Sequence, residues 1–387
     1  MSLRGVAGYW MVAGFLFLAA VPFLQGRYVA IYGTQLIPVL CFALLALGLN
    51  VIVGYTGLLH LGIAAFFGLG AYATGILTTT GFPFGSSFLV AAVLAAVGAA
   101  AVGVATAAPT LRLRGDYLAL VTLGFGLITV YVIKNLDAIT DGTKGLTPVS
   151  PNFFPGIDDP ELPKSLPGWG NSWRKYPYLY YLCLAVLGVV VVFLRNLEQS
   201  RLGRAWVALR EDELAASCMG LNPARLKLSA IALGAGLAGL AGALFAVSQD
   251  GTTEPKAYGF DRSMIAICCI ILGGLGNRPG VLLGVFLLIG YDQILTPVLD
   301  NWLQEQKVNP QGKEYLKVSG WRLFIFGAAL ILMMRFRPEG LLPAARLKRE
   351  LHPEADDAVG EAAAKVTADG RAEKAATTGP HTEGGKG

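Results

Sequence analysis

Apolar residues run along this chain in blocks of about twenty, the length a membrane-crossing helix requires, with short polar or Gly/Pro-rich breaks between them. The blocks fall at 8–25, 30–53, 58–79, 87–109, 117–134, 177–194, 228–247, 263–275, 280–298 and 321–336. They predict an all-α polytopic integral membrane protein with about ten transmembrane helices. The short block 263–275 and the glycine-rich block 58–79 also fit re-entrant or broken helices, which lowers the number to about eight. The first block has the shape of a signal peptide, yet Arg27 and Tyr28 stand where small residues would mark cleavage and a second block follows at once. It is therefore read as a helix.

The polar breaks carry the topology. Arg4, Arg112 and Arg114, the run from Arg195 to Lys227, and Arg335 with Arg337 all fall on one side of a ten-span arrangement. Basic residues in short loops stay in the cytoplasm, so both termini are expected there and 135–176 outside. From 346 to 387 the chain is Ala, Glu, Lys, Gly and Thr with almost no bulky apolar residue. A transmembrane body over 1–345 and a disordered cytoplasmic tail over 346–387 follow.

Composition narrows the class further. Of the 387 residues 54% are hydrophobic and only 15% charged, against roughly 25% charged in soluble domains. An ordinary soluble enzyme, a disordered chain and a disulfide-stapled secreted domain are excluded. The net charge of +5 comes without a basic block interleaved with aromatics, so nucleic acid is not an expected partner. Cys41, Cys183, Cys268 and Cys269 lie in apolar runs and Cys218 in a polar helical stretch, with no metal-ligand spacing.

Few motifs carry chemistry. Gly234-x-Gly236-x-x-Gly239 spells a dinucleotide fingerprint, but inside an apolar span its small residues serve close helix packing, as does Gly280-x-x-x-Gly284. A phosphate-gripping GxxxxGK[ST] is missing, and so are HExxH and GxSxG, so no catalytic residue is assigned and the chain is not read as an enzyme. Asp292 is the clear ionisable residue within a span, and His60 the membrane-proximal histidine. So few intramembrane carboxylates argue against ion-coupled transport. A self-sufficient channel or ion-coupled carrier remains the alternative, and it would not need a cytoplasmic helix.

The break between 195 and 227 is the most informative. Acidic residues open a short stretch, Arg210-Glu211-Asp212-Glu213-Leu214-Ala215-Ala216, and Gly220 then Pro223 close it. This predicts a short helix starting near Arg210 on the cytoplasmic face, offering Leu214, Ala215, Cys218 and Met219 to a partner's groove. An ordinary interfacial helix would share this composition.

Glu213-x-Ala215-Ala216-x-x-x-Gly220 resembles the EAA-type coupling motif of ATP-binding-cassette importer permeases. Further stretches match the LivM-type branched-chain amino acid permease family: Ala46 to Leu59, Ala64 to Tyr72, Arg114 to Gly126, Thr140 to Leu146, Leu272 to Gly276 and Arg337 to Leu342. The resemblance spans about residues 40 to 342 in the family's order. Two departures stand out: His60-Leu61-Gly62-Ile63 replaces the usual Ser-Leu-Gly-His, and Leu127 takes a position that is often acidic.

The resemblance implies one permease subunit of an importer in a bacterial inner membrane, working by alternating access. Its partners would be two cytoplasmic ATPases, a homologous second permease and an extracytoplasmic solute-binding protein. ATP and magnesium would be bound by the ATPases, with no cofactor in this chain. Arg210, Glu211, Glu213, Ala215, Ala216 and Gly220 would couple to the ATPase. Asp141, Gly142, Thr143 and Gly145 would form part of the binding-protein dock. Asn50, Tyr55, His60 and Asp292 are expected to line the pathway. The solute would be a branched-chain or other amino acid, with urea or a short amide as the alternative.

Overall fold

In the computed structural model the described residues are 33–79, 86–110, 116–146, 177–249, 251–252, 254–305, 318–337 and 340–342, with isolated positions at 14, 15, 18 and 83. Most of the expected span 8–25, the segment 147–176 and the tail 346–387 lie outside them.

The helices are α1 (Gly33–Asn50), α2 (Ile63–Thr78), α3 (Phe88–Thr110), α4 (Asp116–Asn135) and α5 (Asp137–Thr140). They are followed by α6 (Pro177–Gln199), α7 (Arg201–Glu211), α8 (Glu213–Cys218) and α9 (Pro223–Ser248). The last are α10 (Phe260–Gly273), α11 (Arg278–Gly290), α12 (Thr296–Glu305) and α13 (Arg322–Phe336). No strand occurs among the described residues. Six helical segments there are long and apolar enough to cross a membrane, and α2 and α13 are shorter apolar helices.

Two expectations need correction. The block 58–79 is helical only from Ile63, because α1 runs into a π-helical turn, Val51–Tyr55, after which the chain leaves helical geometry until α2. The short helix in the 195–227 break starts at Glu213 rather than near Arg210. Arg210 lies in the last turn of α7, and Asp212 separates the two helices in extended backbone (φ −152°, ψ 112°) while its carboxylate accepts from the amides of Leu214 and Ala215. A side chain that satisfies two orphan amides makes Asp212 the start of a new helix, not the middle of an old one.

The body is organised around α1 and α9, the most buried of the candidate spans. At about 1.5 Å per residue the 26 residues of α9 reach nearly 40 Å, enough to cross the hydrocarbon layer with a turn to spare. It packs on α1, α2 and α3, while α1 also touches α6, α10 and α11, and α13 leans on α10. The glycines read as a dinucleotide fingerprint are packing surface here. Gly239 lies against Ala99 and Ala95 of α3 and against Gly70 of α2, whose backbone comes so close that a Cβ on Gly70 would collide with it. Past Phe88, the buried residues of α3 are small (Ala91, Ala92, Ala95, Ala99, Gly103, Ala107), while its large side chains Leu89, Val90, Val93, Leu94 and Val97 are exposed. A water-soluble helix would be arranged the other way round, whereas lipid is as apolar as leucine and leaves close packing as the ordering force.

Candidate functional site

The chain has two polar ends. At one, the π turn after α1, helices α7 and α8, the α10–α11 turn and residues 340–342 meet; at the other are residues 79, 86, 136–146, 249, 251–252 and 254–258. Leu341 and Leu342 donate backbone hydrogen bonds to Leu272 and Gly273 (2.9 and 3.0 Å) at the first end, and Leu146 and Thr252 exchange bonds at the second.

At the first end α8 presents one side and anchors the other. Leu214 and Met219 are 73% and 83% exposed, while Ala216 is 4% exposed. Glu213 pairs with Lys227 Nζ at 2.7 Å, and the lysine side chain is only 10% exposed at the foot of α9. Gly220 has φ +83° with open space around the position of a Cβ, and Leu221 N donates to Ala216 O (3.1 Å). That is a left-handed helix terminus, which an L side chain strains. An open groove of about 440 Å³ runs between α8 and the start of α9, lined by Glu213, Ser217 and Lys227 among others.

Arg210 reaches in the opposite direction. Its Nη1 donates to Gly54 O in the π turn, joining α7 to the end of α1. Asn50, one turn before, accepts from Gly276 N at 3.0 Å through Oδ1, so the α10–α11 turn joins the same junction. Tyr55 stacks on Trp206 (centroids 6.5 Å apart, planes 12° apart), whose Nε1 donates to Leu226 O and Ser229 Oγ, both at 3.1 Å. Asn50 and Tyr55, expected along the pathway, are thus gathered with Arg210 at the α8 end. The Tyr55 hydroxyl and the Asn50 amide nitrogen are buried without partners among the described residues. Glu211 ends α7, and Ala215 is exposed on α8. Nearby, Arg278 at the start of α11 pairs with Glu198 of α6 at 2.8 Å.

His60 lies in the non-helical stretch before α2, buried beside Phe66 (centroids 5.6 Å apart), and its Nδ1 has no partner among the described residues. The first amides around α2 are met by side chains of other helices: Leu61 N donates to Thr122 Oγ1 of α4 and Ala64 N to Ser263 Oγ of α10, each at 3.1 Å. A helix beginning inside the body must find such acceptors, because lipid offers none. Beside this break lies a crevice of about 170 Å³, too tight for a water, lined by Leu61, Ala64, Leu127, Tyr258 and Ser263 among others.

At the far end Asp141 (φ 55°), Gly142 (φ 57°) and Gly145 (φ 72°) adopt left-handed backbone in a compact turn after α5. Asp141 and Thr143 are exposed, Gly142 and Gly145 buried. The turn is fastened to 251–252, since Leu146 N donates to Thr252 Oγ1 (2.7 Å) and Thr252 N to Leu146 O (2.9 Å). Asp292 sits in a second π turn, Tyr291–Leu295, and pairs with Arg322 at 3.4 Å. Sequence reasoning missed Lys227 and Arg322 as partners, and passed over Arg262. The available signal was three basic residues standing at or just outside the limits of apolar blocks. Among the described residues no cluster of His, Cys, Asp or Glu could hold a metal ion.

These features define a polytopic α-helical membrane protein with a short, one-side-anchored helix at one end of its bundle. The family model described as "Branched-chain amino acid transport system / permease component" matches residues 32–334, and the chain belongs to that family. It is 34% identical over 355 residues to the high-affinity branched-chain amino acid transport system permease protein LivM of Escherichia coli K12, covering 88% of this chain and 76% of the relative. The probable branched-chain amino acid transport permease protein LivM of Methanocaldococcus jannaschii is 24% identical over 257 residues, 66% of this chain and 68% of the relative. LivH of Salmonella typhimurium, a permease of a high-affinity branched-chain amino acid transport system, is 26% identical over 254 residues, 64% of this chain and 79% of the relative. No solved structure matches the chain.

Proposed function

We propose that this chain is a permease subunit of an ATP-driven importer that carries branched-chain amino acids across a bacterial inner membrane by alternating access. The observation that carries the reading is α8: a capped helix fixed to α9 through Glu213–Lys227, with Leu214 and Met219 left bare, in a chain of the branched-chain permease family. Bare apolar side chains on a rigid polar-end helix suit the groove of a partner protein. The partners are two ATPase subunits that bind ATP and magnesium, a homologous second permease and an extracytoplasmic binding protein. Both termini and the α8 end are cytoplasmic, and the turn at Asp141, Gly142, Thr143 and Gly145 contributes to the binding-protein dock.

Arg210 and Glu213 give α7 and α8 separate links to the body. One runs to the π turn of α1 through Gly54, the other to the foot of α9 through Lys227. Because α1 and α9 are the central helices, a push on α8 is delivered to the middle of the bundle rather than to its rim. The test is reconstitution of the chain alone and with its ATPases, second permease and binding protein in proteoliposomes, followed by leucine uptake with and without ATP. Uptake confined to the full complex with ATP is the expected result; ATP-independent uptake by the lone chain would overturn the proposal in favour of a self-sufficient channel or carrier.

A further inference from the structure

Three charged side chains from three helices converge near the end of the body opposite α8. Asp292 lies in the π turn that continues α11, Arg322 opens α13, and Arg262 stands in the first turn of α10. Asp292 is fifteen residue steps past Asn277, the cap of α11, or roughly 22 Å along the helix axis. That places a charged group within the apolar layer, where ionisable side chains are costly and mark functional paths.

The cluster is unbalanced. Asp292 Oδ2 receives Arg322 Nη1 at 3.4 Å and Gln293 Nε2 at 3.1 Å. Arg262 has neither an ion pair nor a side-chain hydrogen bond among the described residues, although Tyr258, Arg322 and Asp292 all act on it electrostatically. Its guanidinium carbon instead lies 5.0 Å from the ring centre of Phe42 and 5.3 Å from that of Phe245, themselves an edge-on pair. Aromatic faces hold the cation by its π surface and leave the in-plane N–H donors unspent. Two guanidinium groups against one carboxylate leave one positive charge over, and a half-buried guanidinium with idle donors suits an anion.

We infer that Arg262 and Asp292 form a subsite for the α-amino acid zwitterion, with the carboxylate on the Arg262 fork and the ammonium on Asp292 in place of Arg322. The fit is chemical: a planar fork matches a carboxylate with two parallel bonds, and Asp292 is held by a long, weak arginine contact that a compact ammonium can displace. Arg322, with 43% of its side chain exposed, is the rim group that releases Asp292 when the ligand enters. The π turn suits this role, since such turns re-aim a side chain out of the regular helical register and recur at functional sites.

This inference rests on the amino-acid importer reading, and its test separates the two. In the full complex in phosphatidylcholine proteoliposomes, Arg262→Gln and Asp292→Asn are each expected to lower ATP-driven leucine uptake by about tenfold or more. Binding-protein association should stay at wild-type level, and Arg262→Lys should recover part of the uptake. Without the binding protein, tritiated leucine bound to the permease–ATPase complex should be displaced by unlabelled leucine but not by leucinol, which lacks the carboxylate. Wild-type uptake in both variants, or equal displacement by leucinol, would overturn the subsite and leave the importer reading standing. Uptake that rises with added phosphatidylglycerol in wild type and not in Arg262→Gln would assign the cation to a lipid headgroup and also overturn it. Absence of ATP-dependent leucine uptake in the wild-type complex would overturn both. Should Arg262→Gln fail to assemble, Asp292→Asn carries the test, because it keeps the shape and the neighbours of the side chain.

Discussion

Individual side chains at the α8 end differ in what they can reveal. Ala216 is buried under α8, so a bulky replacement there would disturb the helix itself, whereas Leu214 and Met219 touch little of their own chain. Leu214→Asp is therefore the cleaner probe of docking. It should leave membrane insertion unchanged and weaken ATPase association by about thirty-fold, the effect of losing about 2 kcal/mol at an interface anchor, read by co-purification from detergent. Gly220 requires the opposite reasoning: its surroundings are open, and its positive φ is the constraint. Gly220→Ala should cost about 1 kcal/mol locally, and Gly220→Asn less, because Asn tolerates the left-handed region. Tyr55 gives a third contrast, because its hydroxyl is buried and unpaired while its ring stacks on Trp206. Tyr55→Phe keeps the stack and removes the orphan group, so the melting temperature should rise by the equivalent of about 1 kcal/mol.

Between elements, the informative junctions are those where a helix stops early. The non-helical chain between Tyr55 and Ile63 takes up the first residues of the apolar block 58–79, and it is supported by hydroxyls of Thr122 and Ser263 from other helices. No local signal within 58–79 names those partners, since they lie far away in the sequence. Arg210 works likewise, tying α7 to a π-turn carbonyl on α1. Arg210→Ala is expected to preserve ATPase association, which the proposed docking assigns to Leu214 and Met219, while binding-protein-stimulated ATP hydrolysis falls by about ten-fold or more; loss of a charge-assisted hydrogen bond has that size. A variant with wild-type stimulation would show that the link transmits nothing.

At the scale of the whole molecule, α9 is seated by close backbone approach to its neighbours beside the packed rings of Phe42, Phe67 and Phe245. Gly70 and Gly239 meet where a single Cβ would collide, whereas Gly98 on the outer face of α3 has open space. Gly239→Leu should therefore abolish a monodisperse complex, and Gly98→Leu should keep wild-type yield, read by size-exclusion chromatography. Overpacking a tight crossing costs about 1–3 kcal/mol or more, whereas an outer apolar surface accepts a leucine. The same architecture gives the two ends a mechanical connection. The central helices α1 and α9 carry the Arg210 and Lys227 links at one end and the Phe42 and Phe245 rings against Arg262 near the other.

Hydrophobic block length by itself determined that this is a helical membrane protein, because roughly twenty apolar residues in series have few other uses in a folded chain. Glycines at Gly234, Gly236 and Gly239 were also readable as packing surface, since an apolar flank on both sides rules out a strand-to-helix phosphate turn. The acidic-to-glycine run from Glu211 to Gly220 showed a short helix, although its first turn needed the Asp212 cap to be seen. What only the tertiary structure decided are the pairings between distant residues: Glu213 with Lys227, Arg210 with Gly54, Asn50 with Gly276, and Arg262 beside Asp292 and Arg322. Local periodicity records which face of a helix is apolar and how far it runs, but a polar contact depends on which helices cross and at what depth. Crossings of that kind are set by the mutual fit of small-residue surfaces on separate elements, so they exist only once the bundle has assembled.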